Sequence, residues 1–294
     1  MVVRGKIKEW LPYYLGGKLL NISVAEILFS FIGGLGLFLF GLRFMSDGLQ
    51  AAAGEKMRTI LEQGTKNPVR GVLTGTLVTA LIQSSSATTV MVIGLVNAGI
   101  MNLSQAVGVI MGANIGTTMT AQIIAFKLTN IVPYAIIIGA ILVLFSRKKS
   151  RKHLGELIIG FGILFMGMNM MGDAMKPLKD IPEFSQFMIG LEDNPLLGVL
   201  SGLLLTAIVQ SSSATVGILQ VLAMQGLVPI EAALPILFGD NIGTCATALI
   251  ASIGTGLTAK RAAIMHVTIK IIGTIIFMFI LHPVTSLVVL TASE

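Results

Sequence analysis

Gln83-Ser84-Ser85-Ser86-Ala87-Thr88 returns at an offset of 127 residues as Gln210-Ser211-Ser212-Ser213-Ala214-Thr215, and both copies stand between strongly apolar segments. Five of the six residues carry a side-chain amide or hydroxyl. Polar groups at membrane depth cost several kcal/mol each when left unpaired. Two such clusters in so apolar a chain predict a polar site inside a membrane, and their pairing predicts that internal symmetry builds it.

The composition agrees. The 294 residues are 54% hydrophobic and only 12% charged, against about 25% charged in soluble domains; the mean hydropathy is +0.89. The net charge of +6 is gathered in short loops rather than on one face or arm. That pattern reads as membrane topology and argues against nucleic-acid binding. Cys245 is the one cysteine, which excludes an intrachain disulfide and a zinc cluster. No cleavable signal peptide is visible. Residues 1–21, with Arg4, Lys6, Lys8 and Lys18 around Trp10, Tyr13 and Tyr14, suit a segment lying at the membrane interface.

The repeat extends well beyond the two turns. Residues 67–123 align without gaps to 194–250, and 26 of the 57 positions are identical. Asn67-Pro68 matches Asn194-Pro195, Thr79-Ala80 matches Thr206-Ala207, and Gly112-Ala113-Asn114-Ile115-Gly116-Thr117 matches Gly239-Asp240-Asn241-Ile242-Gly243-Thr244. Upstream, at an offset of 126, Gly34, Gly36, Gly41 and Asp47 match Gly160, Gly162, Gly167 and Asp173. The chain therefore divides into halves 22–146 and 153–290, joined by the basic loop 147–152.

Each half reads alike. A span (24–46 or 154–175) is followed by an amphipathic stretch (48–66 or 176–193). Two short arms then flank the Gln-Ser-Ser-Ser turn, 68–82 with 87–98, or 195–209 with 214–225. Each arm is shorter than the ~20 residues a spanning helix needs, so 68–98 and 195–225 are expected to be re-entrant hairpins. A span interrupted at Gly-x-Asn-Ile-Gly-Thr follows (102–126 or 229–253), and a last span closes the half (130–146 or 262–281). A hairpin that returns to its own side adds no crossing, so each half crosses three times and the second half is inverted. The expected fold is an all-α polytopic membrane protein of two inverted repeats, with about six transmembrane spans and two re-entrant helical hairpins, the architecture of secondary transporters. With 147–152 cytoplasmic, the loops carry 12 Lys/Arg inside and 3 outside, in line with the positive-inside rule; the basic tail falls on the other side.

The turn breaks a helix and restarts it. Serine is a favoured N-cap, and a helix start offers unpaired N–H groups and a partial positive charge, so it binds anions. Two hairpin tips meeting near the midplane would present hydroxyls, amides and N–H groups to one oxyanion; the plainer alternative is that the serines only tie helices together. In Gly-x-Asn-Ile-Gly-Thr, two glycines are expected to loosen the helix and free carbonyl oxygens. With Asn114, Thr117, Thr118, Asn241 and Thr244 these suit sodium; the alternative is a glycine-lined helix crossing. Asp240 stands where the first half has Ala113, and an intramembrane carboxylate is a candidate for cation or proton coupling. Asp47 and Asp173 read as helix-end residues. His266 and Lys270 lie one turn apart and form a candidate gate or buried pair, the alternative for Lys270 being snorkelling. His153 and His282 read as interfacial.

The two Gln-Ser-Ser-Ser motifs, each preceded by Asn-Pro and Thr-Ala and followed by Gly-x-Asn-Ile-Gly-Thr, resemble the type II sodium–phosphate cotransporter family over residues 30–282. The resemblance implies sodium-coupled symport of inorganic phosphate by alternating access in a cell membrane. It implies phosphate binding by Gln83, Ser84, Ser85, Ser86, Gln210, Ser211, Ser212 and Ser213. It places the sodium sites at Ser85, Thr88, Asn114, Thr117, Thr118, Ser212, Thr215, Asn241 and Thr244, with Asp240, His266 and Lys270 as coupling or gating residues. Phosphate, sodium and the lipid bilayer are the expected partners; sodium is the coupling ion and the one metal, with no further cofactor. Exposed small-residue faces allow a homodimer. Many bacterial relatives carry a soluble phosphate-regulon-like domain after the membrane part, and the resemblance here is to the membrane part alone. The family pattern Arg-x-Ala-x-x-His-x-x-x-(Asn/Lys) fits Arg261 to Lys270 but has no counterpart at 130–146, where the carboxylate of some electrogenic relatives is also missing. In animal relatives the segment between the halves is extracellular, opposite to the charge reading. Rival functions are transport or export of another oxyanion, proton-coupled phosphate transport, a channel, and a membrane hydrolase using Ser85 or Ser212 with His266.

Overall fold

The computed structural model describes residues 24–53, 60–61, 64–65, 67–126 and 129–292. The expected interfacial segment 1–21 and part of the amphipathic stretch 48–66 lie outside the described residues. Those residues form an all-helical protein with fourteen α-helices and no strand among them.

The first helix of each half pairs with the other. Helix α1 spans Val24–Ala53, and α7, the seventh helix, spans Lys149–Met175. They touch through glycines. A Cβ on Gly34 would lie 2.9 Å from Gly167 O, one on Gly41 2.7 Å from Gly160 O, and one on Gly48 2.7 Å from His153 O. As one index rises by seven the other falls by seven, so the helices run antiparallel. The pairs Gly34–Gly167 and Gly41–Gly160 exchange under the repeat offset of 126. The contact is thus self-complementary, as a two-fold axis requires.

The two helical hairpins follow the expected arms closely. Helix α2 (Pro68–Ile82) starts at Asn67, whose side chain accepts from the Arg70 amide, and Pro68 takes the first helical position, where no N–H is needed. Helix α3 (Ser85–Asn97) leaves from the turn; α9 (Pro195–Val209) and α10 (Ser212–Met224) repeat the pattern. The arms are 13 to 15 residues long, about 20–22 Å at 1.5 Å per residue, against a hydrocarbon core of roughly 30 Å.

Helix α4 (Leu103–Gly116) runs parallel to α2, because Gly108, Gly112 and Gly116 sit against the carbonyls of Pro68, Val72 and Thr76 at constant separation. In the second half α11 (Ile230–Gly243) lies the same way on α9, with Gly239 on Val199 O and Gly243 on Leu203 O. A Cβ on Gly112 or Gly239 would approach those oxygens to 2.0 or 1.8 Å. The interruption expected at Gly-x-Asn-Ile-Gly-Thr is narrow: the regular helix stops and restarts at a single residue, Thr117 or Thr244, whose backbone dihedrals remain in the helical region. Thr117 (φ −64°, ψ −25°) and Thr244 (φ −60°, ψ −20°) stay helical, and their amides still donate to Ala113 O and Asp240 O at 3.1 Å. The glycines serve close packing. The helices continue as α5 (Thr118–Ala125) and α12 (Cys245–Ala251), and each of these half-helices packs on the other half's hairpin, α5 on α10 and α12 on α3.

The halves part company at their ends. Helix α6 (Val132–Phe145) lies antiparallel along α7, with Gly139 against Ile159 and Gly155 against Val143. Helix α13 (Leu257–Phe279) instead packs against α3, α4, α11 and α12, its Ala259, Ala262 and Ala263 buried beside Val92 and Ile93. The amphipathic α8 (Pro182–Asp193) precedes α9, and α14 (Leu281–Ala292) closes the described chain.

Among the described residues five helical stretches are long and apolar enough to cross a membrane, 25–51, 103–125, 149–180, 230–251 and 257–279, and the pair Pro182–Asp193 with Pro195–Val209, bent by 108°, would make a sixth if taken as one span. The sixth expected span, 130–146, is α6 with only 14 residues. The expected loop 147–152 is largely helix, since α7 starts at Lys149. Large apolar side chains face outward, Ile208 at 79% and Phe279 at 86% exposure among them. Such a surface needs lipid around it.

Candidate functional site

The two Gln-Ser-Ser-Ser turns have nearly the same backbone. Gln83 (φ 59°, ψ 24°) and Gln210 (φ 57°, ψ 25°) close the incoming helices in the left-handed conformation, the only non-glycine residues with positive φ among those described. Glycine is the usual residue there. Each Gln instead ties the turn down with its side chain. Gln83 Nε2 donates to Ala80 O, and its Oε1 accepts from Thr120 Oγ1 at 2.7 Å. Gln210 repeats this with Ala207 O and with Thr247 Oγ1 at 2.8 Å. Ser84 and Ser211 are the N-caps, accepting from the Ala87 and Ala214 amides at 3.1 and 3.3 Å. The caps leave Ser85, Ser86, Ser212 and Ser213 at the helix starts, where backbone N–H groups have no intrahelical acceptor.

Parallel packing sets the depth at which Gly-x-Asn-Ile-Gly-Thr ends. Gly116 lies against Thr76, Thr79 and Ala80, one turn from Gln83, and Gly243 against Leu203, Thr206 and Ala207. The motif tips therefore meet the serine turns. Crossing of α5 onto α10 and α12 onto α3 brings the two halves together. The result is a cavity of ≈ 410 Å³ whose lining includes Ser85, Asn114, Thr117 and Thr118 from the first half and Ser212, Ser213, Asp240, Asn241 and Thr244 from the second. Lys270 of α13 lines it too, with Thr120, Thr274, Phe238, Phe277 and Ile124.

Asp240 is buried at 5% exposure. Its Oδ1 accepts from Thr206 Oγ1 at 2.6 Å, and Thr206 lies 2.8 Å from Thr215 Oγ1. In the first half the equivalent Thr79 donates to Thr88 at 2.9 Å, with Ala113 in place of the carboxylate. Lys270, at 6% exposure, donates from Nζ to Asn241 Oδ1. The snorkelling alternative is thus set aside, because the ammonium turns into the protein. His266 is buried at 3% exposure and its Nδ1 has no partner among the described residues.

Several expected site residues do not line the cavity. Gln83, Gln210, Ser84 and Ser211 shape the turns, Ser86 stands outside the lining, and Thr88 and Thr215 spend their hydroxyls on the buried threonine pairs. His266 lies one helical turn from Lys270 but off the lining. Asp47 and Asp173 pair on their own helices with Arg43 (3.9 Å) and Lys176 (2.6 Å), at 59% and 71% side-chain exposure. Both fit the helix-surface reading. Sequence reasoning assigned no role to Thr79, Thr206, Thr120 or Thr247; all four are repeat-invariant polar positions in apolar helices, and that was the available signal. Ile124 borders a second cavity of ≈ 300 Å³ that includes Asn169, Asp173 and Gln225, and it separates the two spaces.

The family model described as Na+/Pi-cotransporter matches residues 37–173 and again 174–290. The chain belongs to that family. The model thus matches twice in succession, as a duplicated chain would, with the boundary at 173/174 one span into the second half. Among relatives, "Uncharacterized protein YqeW" of Bacillus subtilis is 32% identical over 262 residues, 89% of this chain and 85% of its own length. "Putative inorganic phosphate export protein YjbB" of Escherichia coli K12 is 28% identical over 256 residues, 87% of this chain and 47% of its own length. "Sodium-dependent phosphate transport protein 2A" of Rattus norvegicus is 37% identical over 113 residues, 38% of this chain and 17% of its own length. The match thus spans about half of YjbB and less of the rat protein. No solved structure matches the chain. With five membrane-length helices and membership of a transporter family, it is an integral membrane protein.

Proposed function

We propose that the protein is a secondary active transporter that carries inorganic phosphate across the cell membrane together with sodium, by alternating access. The observation that carries this reading is the convergence of two repeated helix starts, at Ser85 and Ser212, on one cavity. Their free N–H groups and dipoles favour an oxyanion without a dedicated arginine. Sodium coupling draws support from the neutral oxygens of Asn114, Thr117, Thr118 and Thr244 around the same space. The names of the family and of the rat relative point the same way. Phosphate brings more than one negative charge at neutral pH, so each bound sodium raises phosphate affinity and phosphate raises sodium affinity by the same factor.

Inverted repeats are supported by the self-complementary antiparallel contact of α1 with α7 and by the family model matching twice in succession. Alternating access then follows as rocking of the hairpins and α4–α5, α11–α12 against the α1–α7 pair. His266 lies off the cavity lining, which counts against a hydrolase that pairs Ser85 or Ser212 with His266.

The test is radiolabelled phosphate uptake into proteoliposomes under inward sodium, potassium or proton gradients. Sodium-specific uptake is the expected result; uptake driven by protons alone would reassign the coupling ion, and competition by sulfate or arsenate in place of phosphate would reassign the substrate. A second reading, phosphate export, is favoured by the name of YjbB, which aligns with 87% of this chain. Efflux from phosphate-loaded vesicles, measured with the sodium gradient in each direction, separates the two.

A further inference from the structure

Asn114 and Asn241 hold equivalent places in the two halves, and both line the central cavity. Their amide oxygens meet different fates. Asn241 Oδ1 accepts from Lys270 Nζ. Asn114 Oδ1 is buried and accepts no hydrogen bond from any described residue. The cause lies in the last helix of each half: α13 packs over α11 and delivers Lys270, while α6 lies along α7 and delivers nothing to Asn114.

An unpaired buried acceptor costs about 1–3 kcal/mol, and a buried ammonium is tolerated only with partners. Lys270 has the Asn241 oxygen as its hydrogen-bond partner, and the Asp240 carboxylate stands in the same cavity wall without closing an ion pair. The first half lacks the lysine at the corresponding oxygen and also lacks the carboxylate, having Ala113 instead. The two charges come together in one half and are absent together from the other. An ammonium and a monovalent metal cation both bring one positive charge to a neutral oxygen.

We propose that Lys270 stands in for one coupling cation: its ammonium occupies the cation position at Asn241, and the equivalent position at Asn114, completed by Thr117 and Ser85, takes a mobile sodium ion. The inference rests on sodium-coupled phosphate transport and specifies the asymmetry of its cation sites. Asp240 then balances Lys270, and the tethered charge lowers the number of sodium ions moved per phosphate.

The experiment measures radiolabelled sodium and phosphate entering the same proteoliposomes, for wild type, Lys270→Gln and Asn114→Ala. Lys270→Gln is expected to steepen the sodium dependence and raise the sodium-to-phosphate ratio by about one, because the freed oxygen set now takes sodium. Lys270→Arg keeps the fixed charge and the wild-type ratio. Asn114→Ala is expected to weaken apparent sodium affinity by about tenfold or more, within the usual range of such couplings. Should Lys270→Gln not transport, equilibrium sodium binding to the solubilised protein, with Asp240→Ala/Lys270→Gln as the charge-balanced variant, reads the extra site directly. A wild type driven by sodium with an unchanged ratio and unchanged binding in both variants overturns this inference alone. A wild type without sodium-dependent uptake overturns the functional reading beneath it as well.

Discussion

Thr206 donates its hydroxyl hydrogen to the Asp240 carboxylate across 2.6 Å. Thr206 also lies 2.8 Å from Thr215, whose hydroxyl faces Ser211 O at 3.4 Å as well. In the first half Thr79 donates to Thr88 and Thr88 to Ser84 O, with no carboxylate at the far end. One exchange between the halves, Ala113 for Asp240, therefore adds a carboxylate acceptor to a buried threonine pair. Thr206→Val leaves the carboxylate without its donor and is expected to cost about 1–3 kcal/mol. Thr79→Val loses only a neutral bond, typically ~0.6 kcal/mol in membrane proteins. Thermal unfolding of the two variants in one detergent checks the difference.

Asp240→Asn keeps the size of the side chain and removes its charge. Sodium and pH dependence of phosphate uptake should both shift, because the cavity then holds Lys270 without its counter-charge. Identical curves for variant and wild type would take Asp240 out of the coupling mechanism.

Serines within one turn should separate by role. Ser84→Ala deletes an N-cap and is expected to cost about 1 kcal/mol of stability while leaving a residual transport activity. Ser85→Leu or Ser212→Leu fills the cavity from a position that caps nothing. Loss of uptake with normal membrane insertion is the expected outcome. Wild-type uptake in either leucine variant would remove these positions from the site.

Gly112→Ala and Gly239→Ala each place a Cβ within 2.0 Å of a backbone oxygen on the partner helix. Backbone cannot rotate aside, so the helices must separate, at about 1–3 kcal/mol or more. Gly36 has no neighbour within 4 Å of the same construction, and Gly36→Ala should be neutral or stabilising by up to ~1 kcal/mol. Melting temperatures of the three variants decide the matter.

Gln83→Gly suits the left-handed backbone but severs the tie to Thr120 on α5. The hairpin is expected to form while uptake falls, since α5 carries part of the cavity wall. An unaffected rate would mean that the backbone conformation alone is what the position supplies.

The sequence by itself settled the membrane class, the duplication and the place of both turns. Apolar run length measures helix length, and Asn-Pro and Gln-Ser carry local capping chemistry that acts within a few residues. The close packing at the Gly-x-Asn-Ile-Gly-Thr segments was not legible, because glycine serves loosening and close packing alike, and only the carbonyls of Val72 and Val199 on a neighbouring helix show the contact. The helix at 130–146 is the shortest of the six expected spans: α6 is 14 residues long and finds its place along α7. Which polar atoms share a cavity, which hydroxyl donates to which, and that Lys270 reaches Asn241 while Asn114 is left without a donor were decided by tertiary structure alone. Those facts depend on distances between helices far apart in the chain, and no local periodicity encodes them.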